Sequence, residues 1–517
     1  MVNRKLNGPL VSGGNVLRFQ ISPDSQWVVY LADQNTDQVF ELYSVPIRGG
    51  TPVRLNVALP SGSDASLCGI TPDSRRVVFI APQETTGKKE VFCVPIQGPA
   101  SAAVKLSRTI ASPRYVDAAI VNSSGTRVVY RVRVGTGISE LYSVPITGPG
   151  SASVRVDRTM VSSSPGTGYG ISPNGERVVY WGAYDTAGVA ELYSVPILGP
   201  AGATVKLNTP LVAGGGVGWF DITSDGSRLV YLADQLTLAV REVFSVPIAG
   251  PAADGIKLNT TLALGSSVGN FRISPNNERV IYDVSAADPS YELWSVPIAG
   301  PASAGVKIGE PRENWSWVIS PNSARVVFKA DRDATGGMEL YSVPIAGPRD
   351  AGVEISKNLG TQGGVEEFRI SPDSRYVVYR ADPLFALLYD NVFRIFSVPI
   401  AGPASANVTL DKIAHQTRDV SAFRISPHSQ WVAYVADQTT DEVRELYLAL
   451  IRGPASAGIK LSGPMVTGGD MAYPEVFEFS PDSACLVYLA DQTTNGVDEL
   501  YVSYDRPTAA GNWRAYK

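Results

Sequence analysis

The sequence predicts an all-β fold: a single ten-bladed β-propeller of four-stranded antiparallel blades. Three observations predict it. One repeat recurs ten times along the 517 residues, each copy contains four short β-type runs separated by turn residues, and the chain begins with a strand segment that its last copy lacks. The position of Pro23 in the first copy recurs at 72, 123, 173, 224, 275, 321, 372, 427 and 481. This spacing is near the roughly 40 to 50 residues of a four-stranded propeller blade.

Each copy is organised as strands A, B, C and D. In the first copy, strand A ends at Ile21, and the turn Ser22-Pro23-Asp24-Ser25 leads into strand B. Proline presets φ in this turn and the aspartate side chain can bond back to the backbone. Strand C, Glu41 to Val45, ends at Pro46 because proline cannot donate to a β-ladder. Strand D is the short run Val53-Arg54-Leu55-Asn56.

The two ends of the chain predict closure of the ring. Nine copies are followed by a D strand, whereas the tenth ends after its C strand near Val502. The missing strand is found at the N-terminus, where Arg4 to Asn7 aligns with the D strand Val205 to Asn208. We therefore expect residues 1–11 to complete the last blade and residues 1–517 to form one propeller domain, which leaves no exposed sheet edge.

Two five-bladed rings are the alternative arrangement. The fifth and sixth copies are joined by residues 248–274, a connection of the same kind as every other, and only the last blade is incomplete. These features favour one ring.

The composition narrows the classes of function. Hydrophobic residues make up 44% of the chain and charged residues 18%, and the net charge of -5 has no block of like charge behind it. We therefore expect neither nucleic-acid binding nor membrane insertion. The segment Met1 to Arg4 lacks the apolar core of a signal peptide. The three cysteines are too scattered for a disulfide framework, and no cofactor motif is present.

The run Ser-Pro-Asp-Ser-x-x-Val-Val-Tyr from Ser22, the Ala32-Asp33 pair and then Glu41 to Ile47 resemble the WD-like propeller repeat of the TolB family. The resemblance covers nearly the whole chain. It implies a propeller whose A strands line the axis, a role in binding proteins or other ligands, and a periplasmic or extracellular location, often bacterial. TolB itself looks six-bladed with an additional N-terminal domain, so its particular role is not carried over to ten copies without that domain.

Patterns associated with catalysis or metals have structural interpretations in this sequence. The segment Gly265-Ser266-Ser267-Val268-Gly269 matches the nucleophile-elbow pattern, but it lies in a loop between strands D and A rather than at a strand-to-helix turn. The two histidines, His415 and His428, are too few for a multi-histidine metal site. An aspartate follows strand B in six copies, and we expect it to make local hydrogen bonds rather than to bind calcium. These aspartates are Asp33, Asp234, Asp331, Asp382, Asp437 and Asp491.

Positions at which the copies differ are the candidate functional residues, because a residue that only maintains the blade should recur. Aromatic and acidic residues of the loops entering strand A are candidates for ligand binding: Tyr115, Tyr169, Trp219, Trp315, Glu366, Glu367, Tyr473 and Glu475. Charged residues one position before the end of strand A are candidates for the channel wall: Asp221, Arg272, Arg369, Arg424 and Glu478. Loop drift and ion pairing between blades are the respective alternatives.

The eighth copy also carries an apolar insertion between strands B and C. Its residues Leu384, Phe385, Leu387 and Leu388 stand where the other copies are polar, and such a patch is typical of a protein interface.

The sequence therefore favours a non-catalytic binding or scaffold propeller whose upper loops and channel take a protein, peptide or glycan. A glycoside hydrolase or lyase is the alternative, with Asp221, Glu366, Glu367 and Glu475 as candidate acids and bases. A purely architectural surface protein is a third possibility.

Overall fold

The computed structural model describes residues 1–85, 87–164, 168–285, 291–311, 316–332, 337–359, 363–383, 392–413, 418–472 and 476–505. These residues form ten four-stranded antiparallel sheets, numbered here as blades 1 to 10 in chain order. The ten-bladed propeller predicted from the repeats is confirmed.

The first five blades contain strands β2 to β21. Blade 1 is β2 (Val16–Ile21), β3 (Trp27–Ala32), β4 (Glu41–Pro46) and β5 (Val53–Arg54); blade 2 is β6 (Ser66–Ile70), β7 (Arg76–Ala81), β8 (Glu90–Pro95) and β9 (Val104–Lys105); blade 3 is β10 (Tyr115–Val121), β11 (Arg127–Gly135), β12 (Ile138–Pro145) and β13 (Val154–Arg155); blade 4 is β14 (Gly168–Ile171), β15 (Arg177–Gly182), β16 (Glu191–Pro196) and β17 (Val205–Lys206); blade 5 is β18 (Val217–Ile222), β19 (Arg228–Ala233), β20 (Glu242–Pro247) and β21 (Ile256–Lys257).

The remaining blades contain strands β22 to β40 and β1. Blade 6 is β22 (Ser267–Ile273), β23 (Arg279–Ser285), β24 (Tyr291–Pro297) and β25 (Val306–Gly309); blade 7 is β26 (Trp317–Ile319), β27 (Arg325–Ala330), β28 (Glu339–Pro344) and β29 (Val353–Glu354); blade 8 is β30 (Gly364–Ile370), β31 (Tyr376–Asp382), β32 (Arg394–Pro399) and β33 (Val408–Thr409); blade 9 is β34 (Val420–Ile425), β35 (Trp431–Thr440), β36 (Val443–Leu450) and β37 (Ile459–Lys460); blade 10 is β38 (Phe477–Phe479), β39 (Cys485–Ala490), β40 (Glu499–Tyr504) and β1 (Val2–Lys5).

Short 3-10 turns connect strands C and D in blades 2 to 9. They span Ala100–Ala102, Gly150–Ala152, Ala201–Ala203, Ala252–Asp254, Ala302–Ala304, Arg349–Ala351, Ala404–Ala406 and Ala455–Ala457. No helix in the described part of the chain is long and apolar enough to cross a membrane.

The hydrophobic core lies between blades. Strand B is a continuous apolar run because each blade is covered on both faces by its neighbours; Val28, Val29 and Tyr30 are fully buried. Ten apolar clusters occupy the ten junctions between adjacent blades. One cluster joins Val230 of blade 5 to Val280 of blade 6, and another joins blade 10 to blade 1. This arrangement is one ring of ten blades rather than two rings of five.

The N-terminal strand closes the ring as predicted. Strand β1 pairs antiparallel with β40, placing Lys5 opposite Tyr501, and Lys5 forms an ion pair with Glu499. The Leu500 amide donates to Asn7 Oδ1 at 2.8 Å. The same contact at the same distance joins the Leu192 amide to Asn208 in blade 4. The N-terminus therefore makes the contacts of an ordinary D strand.

The turns between strands A and B form a second ring of contacts on the lower face. The fourth turn residue has positive φ in every blade, for example 61° at Ser25. Its side chain accepts a hydrogen bond from the turn of the preceding blade, as when the Asp24 amide donates to Ser74 Oγ at 2.9 Å. Seven junctions have this bond, including the closing one between Asp482 and Ser25. At the other three, the position is Gly125, Gly175 or Gly226, which has no side chain to accept it.

Candidate functional site

A pocket of about 820 Å³ opens on the upper face, where the D–A and B–C loops of blades 4, 5 and 6 meet. Most of its wall is apolar or glycine, with a few polar side chains. The lining residues used below are Trp181, Gly214, Gly216, Gly218, Trp219, Asp234, Arg241, Gly269 and Asn270.

The blade 4 wall depends on Gly168 in strand β14. A β-carbon on this residue would lie 1.9 Å from Cη2 of Trp181, its register partner on β15. The indole therefore occupies the space that a strand A side chain would need. Its ring also meets Phe220 of blade 5 edge-on, with centroids 5.2 Å apart. Absence of one side chain thus lets a strand B tryptophan form part of the pocket wall.

Glycines at β-bulges supply the rest of the opening. The A strands of blades 5 and 6 have irregular register at Gly218 and Gly269, both of which line the pocket. The corresponding bulge residues of blades 1 and 8 are Leu17 and Glu366. A bulge redirects the following residue, and Trp219, which follows Gly218, is 53% exposed.

Three exposed leucines lie on the same face. In blade 5, Leu236 and Leu238 of the B–C loop are more than half exposed, and a β-carbon on Gly214 would lie 3.3 Å from Leu238 Cδ1. Leu264 is fully exposed in the D–A loop of blade 6. The equivalent residues of blade 1, by alignment, are Asn35, Asp37 and Ser12. In blades 5 and 6, exposed apolar side chains thus stand in upper-face loops where blade 1 has polar ones.

Asp234 belongs to the framework of the loops. Its Oδ1 accepts the Gly216 amide at 2.6 Å. Its counterpart Asp33 accepts the amides of Asn15 at 2.5 Å and Gln38 at 3.1 Å. Asp437 and Asp491 likewise accept backbone amides. Four of the six aspartates at this position therefore make the predicted local hydrogen bonds.

Asn270 brings a buried donor to the pocket. It is 2% exposed, and its Nδ2 has no hydrogen-bond partner among the described residues. Its register partner on β23 is Asp283, whose Oδ2 accepts a hydrogen bond from Trp317 Nε1 at 2.9 Å. Burial raises the pKa of Asp283 to about 6. A partly satisfied polar cluster therefore lies behind the blade 6 wall.

Arg241 is exposed at the end of the B–C loop of blade 5. Its amide donates to Ser267 Oγ at 3.0 Å, and its carbonyl accepts the Val268 amide at 2.9 Å. Within the described ranges, its guanidinium forms no ion pair. Ser267, the serine of the elbow-like pattern, therefore serves as a hydrogen-bond acceptor in a loop contact.

The structure brings one predicted ligand-binding residue, Trp219, into the pocket. Tyr115 is 43% exposed on blade 3, whereas Tyr169 is packed between blades 3 and 4 with its hydroxyl 3.4 Å from the Val129 carbonyl oxygen. On blade 8, Glu366 is exposed and Glu367 forms an ion pair with Arg369 at 2.7 Å. Other candidates lie outside the described residues: Trp315, Tyr473, Glu475, Leu384, Phe385, Leu387 and Leu388.

The arginines of the predicted channel wall stack on aromatic rings of the next blade. Ring-centroid distances are 5.7 Å for Arg272 and Trp317, 5.8 Å for Arg369 and Phe423, and 5.4 Å for Arg424 and Phe477. Such cation–π contacts join neighbouring blades.

The two acidic wall residues also interact with arginines across blade junctions. Burial raises the pKa of Asp221 and of Glu478, while the charges of Arg272 and Arg424, respectively, oppose this rise. Asp221 lies on blade 5 and the glutamates Glu366 and Glu367 on blade 8. The assignment of these carboxyls to acid–base catalysis stays a prediction.

Trp181, Arg241 and Asn270 were not among the predicted site residues. Trp181 follows the apolar pattern of strand B, which by itself is typical of a core residue. Its signal was present in the repeats: blade 4 combines glycine at 168 with tryptophan at the facing position. Arg241 and Asn270 differ from their counterparts Phe40 and Arg18, but adjacent blades had to be placed before they could be grouped.

No protein-family model matches the chain, and no curated protein matches it. Solved structures that match include an oligogalacturonate lyase in complex with manganese, at 13% identity and a TM-score of 0.36, covering 68% of this chain and 98% of that one. A putative TolB from Agrobacterium tumefaciens matches at 15% identity and a TM-score of 0.29, covering 52% and 87%. Prolyl oligopeptidase B from Galerina marginata matches at 10% identity and a TM-score of 0.40, covering 73% of this chain and 57% of that one. TolB structures are thus among the matches, as the repeat resemblance led us to expect, and the likeness is one of fold.

In the described part of the chain, no group of three or more histidine, cysteine, aspartate or glutamate side chains is arranged to hold a metal ion. The pocket instead combines indole rings, aliphatic side chains and hydrogen-bond donors. This set is suited to non-covalent recognition.

Proposed function

We propose that this propeller is a non-catalytic binding module that takes an apolar side chain of a protein or peptide into the upper pocket of blades 4 to 6. The observation that carries the proposal is the placement of Trp181 and Trp219 in a cavity of about 820 Å³, with exposed leucines on the same face. Concave, largely apolar sites of roughly 300 to 1,000 Å³ are typical of ligand pockets. Buried tryptophan anchors commonly dominate interface energetics.

The leucines favour a polypeptide over a glycan. Leu236, Leu238 and Leu264 expose aliphatic surface to water. Covering such surface contributes about 25 cal/mol per Å², and a polypeptide can cover it with apolar side chains. A saccharide presents mainly hydroxyl groups, which gain less there. The aromatic rings alone would suit either class of ligand.

A peptide library displayed on phage and selected on the purified chain tests the proposal. Enriched peptides should carry an apolar residue, and their binding should change tryptophan fluorescence. Trp219→Ala should weaken binding at least tenfold, because this ring is one wall of the pocket. Trp219 is 53% exposed, so its removal should leave the melting temperature nearly unchanged.

Leu17→Ala is the matched control, since Leu17 is an apolar residue of strand A on blade 1 that is 55% exposed. It should bind the selected peptides as the unaltered chain does. Peptides that bind Trp219→Ala with undiminished affinity would contradict the proposal. So would selective binding on a glycan array without any peptide ligand.

A further inference from the structure

We infer that the ligand of the upper pocket carries a carboxylate beside its apolar group and that Arg241 binds it. The inference rests on the proposed function and specifies its ligand. Arg241 lines the pocket together with Trp219 and Asn270. The chain contains an internal reference for this arginine, because blade 9 has an arginine at the same place in its loop.

Arg444 is that reference. Its carbonyl accepts the Met471 amide at 3.2 Å, as the Arg241 carbonyl accepts the Val268 amide. Its own amide donates to Asp470 Oδ1 at 2.7 Å, as the Arg241 amide donates to Ser267 Oγ. The two loops therefore share one backbone arrangement, in which Ser267 occupies the place of Asp470.

The exchange of aspartate for serine changes the charge around the arginine. The Arg444 guanidinium donates to Asp470 Oδ2 through Nε at 2.8 Å and Nη2 at 2.6 Å. This contact of two guanidinium nitrogens with one carboxylate oxygen neutralises the arginine within the protein. The Ser267 hydroxyl accepts the Arg241 backbone amide but carries no charge, so Arg241 keeps an unneutralised guanidinium at the pocket. Arginine's planar fork matches a carboxylate of the ligand as it matches that of Asp470.

A second donor points to an acceptor-bearing ligand. Asn270 is 2% exposed, lines the same pocket and leaves Nδ2 without a partner among the described residues. A buried amide nitrogen without a hydrogen bond is unfavourable, because it has lost its contact with water and gained no acceptor. Nδ2 is not exposed to solvent, so a ligand oxygen would satisfy it once the amide turns toward the pocket.

The other charged residue of the pocket does not replace that ligand. Asp234 Oδ1 already accepts the Gly216 amide, in a role shared with Asp33 and Asp437 of other blades. No ion pair joins Asp234 to Arg241 in the part of the chain that the structure describes. The charge that distinguishes this loop from its counterpart in blade 9 is therefore positive.

The test re-creates the blade 9 arrangement in blade 5. Ser267→Asp places a carboxylate beside Arg241, as Asp470 lies beside Arg444. Ser267→Asn is the matched control of similar size and no charge. The probe is one peptide library prepared with free C-termini and again with amidated C-termini, selected on the full chain. We expect Ser267→Asp to weaken binding at least tenfold relative to Ser267→Asn.

The two library forms identify the source of the carboxylate. If it is the C-terminus, amidation should abolish enrichment. If it is a side chain, enrichment should survive amidation and be lost when glutamate is replaced by glutamine. Equal binding by Ser267→Asp and Ser267→Asn, or binding that neither replacement affects, would overturn the inference. Loss of binding in Trp219→Ala would still support the proposed function, so the two failures are distinguishable.

Discussion

Gly168 and Trp181 show how one pair of residues can change a repeat into a site. The same two positions hold Trp219 facing Leu232 in blade 5, and Ala422 facing Val435 in blade 9. Blade 4 has no side chain at this position of strand A and a tryptophan at the facing position of strand B. The strand pairing is unaffected, because Gly168 and Trp181 remain register partners, but the inner wall gains an indole ring.

Gly168→Ala should destabilise the fold by about 1–3 kcal/mol, because its β-carbon would lie 1.9 Å from the Trp181 ring and force a packed side chain to move. Urea denaturation measures the change. Adding Trp181→Val in the same chain recreates the blade 9 pair and should restore most of the stability without restoring ligand binding. A double variant as unstable as Gly168→Ala would show that the clash is not the cause.

Asp283 should make stability depend on pH. Burial raises its folded pKa to about 6 from an ordinary value of 3.8. Between these values the folded protein holds more protons than the unfolded chain, so the free energy of unfolding falls as pH rises and levels off above about 6. The shift of about two units corresponds to at most about 3 kcal/mol.

Asp283→Asn removes this titration, and asparagine can still accept the Trp317 hydrogen bond. The variant should match the unaltered chain near pH 4 and exceed it in stability at pH 7, as measured by urea denaturation at both values. A stability difference that is the same at both pH values would contradict the assignment.

Most strands could be predicted from the sequence because each repeat carries its own turn chemistry and an apolar strand B. Eight of the ten D strands span two residues, which is shorter than the predicted four-residue runs. In blade 1 only Val53 and Arg54 pair in the regular ladder. The Leu42 amide then donates to the Asn56 side chain at 2.6 Å instead of to a backbone carbonyl. A side chain thus replaces the backbone acceptor, which strand propensity alone does not indicate.

Deletion of residues 1–8 should open the ring. The deletion removes β1, the Lys5–Glu499 ion pair and the Asn7 contact, and it exposes the edge of β40. Exposed strand edges pair with other chains, so we expect a lower melting temperature and concentration-dependent association in light scattering. Adding a peptide of residues 1–11 should reverse both effects. An unchanged melting temperature and a monodisperse deletion variant would rule out this role for β1.

At the scale of the whole molecule, the number of blades and the closure were predictable, but the pocket was not. Counting copies and finding the displaced D strand requires only the repeat. The pocket combines Trp181, Trp219 and Asn270 from three blades, and it forms through missing side chains as much as through those present. The predicted ligand-binding residues were all in the loops entering strand A. That set includes Trp219 but not Trp181, because Trp181 lies on strand B.

The lower-face turns predict uneven local stability around the ring. Hydrogen bonds join the turns at seven junctions, whereas Gly125, Gly175 and Gly226 leave the three consecutive junctions from blade 2 to blade 5 without one. Amides of those turns should exchange with solvent faster than amides of the turns in blades 7 to 10. Hydrogen-exchange mass spectrometry measures this.

Ser374→Gly is the control for that comparison. It removes the bond that Ser374 Oγ accepts from the Asn322 amide at 2.9 Å, while glycine tolerates the φ of 61° at this position. Exchange in the turns of blades 7 and 8 should then approach that of blades 2 to 5. Equal exchange rates around the whole unaltered ring would contradict the prediction.

The three junctions without the turn-to-turn hydrogen bond end at blade 5, which also forms part of the pocket. A ligand touching Trp181, Trp219 and Asn270 would contact blades 4, 5 and 6 on the upper face. It would therefore span the junction between blades 4 and 5, the last of the three whose lower-face turns lack the hydrogen bond. A bound ligand would then connect blades 4 and 5 on the upper face, at a junction where the glycine-containing turns form no hydrogen bond on the lower face. On the proposed function, ligand binding would thus stiffen one sector of a ring whose ten blades are otherwise alike.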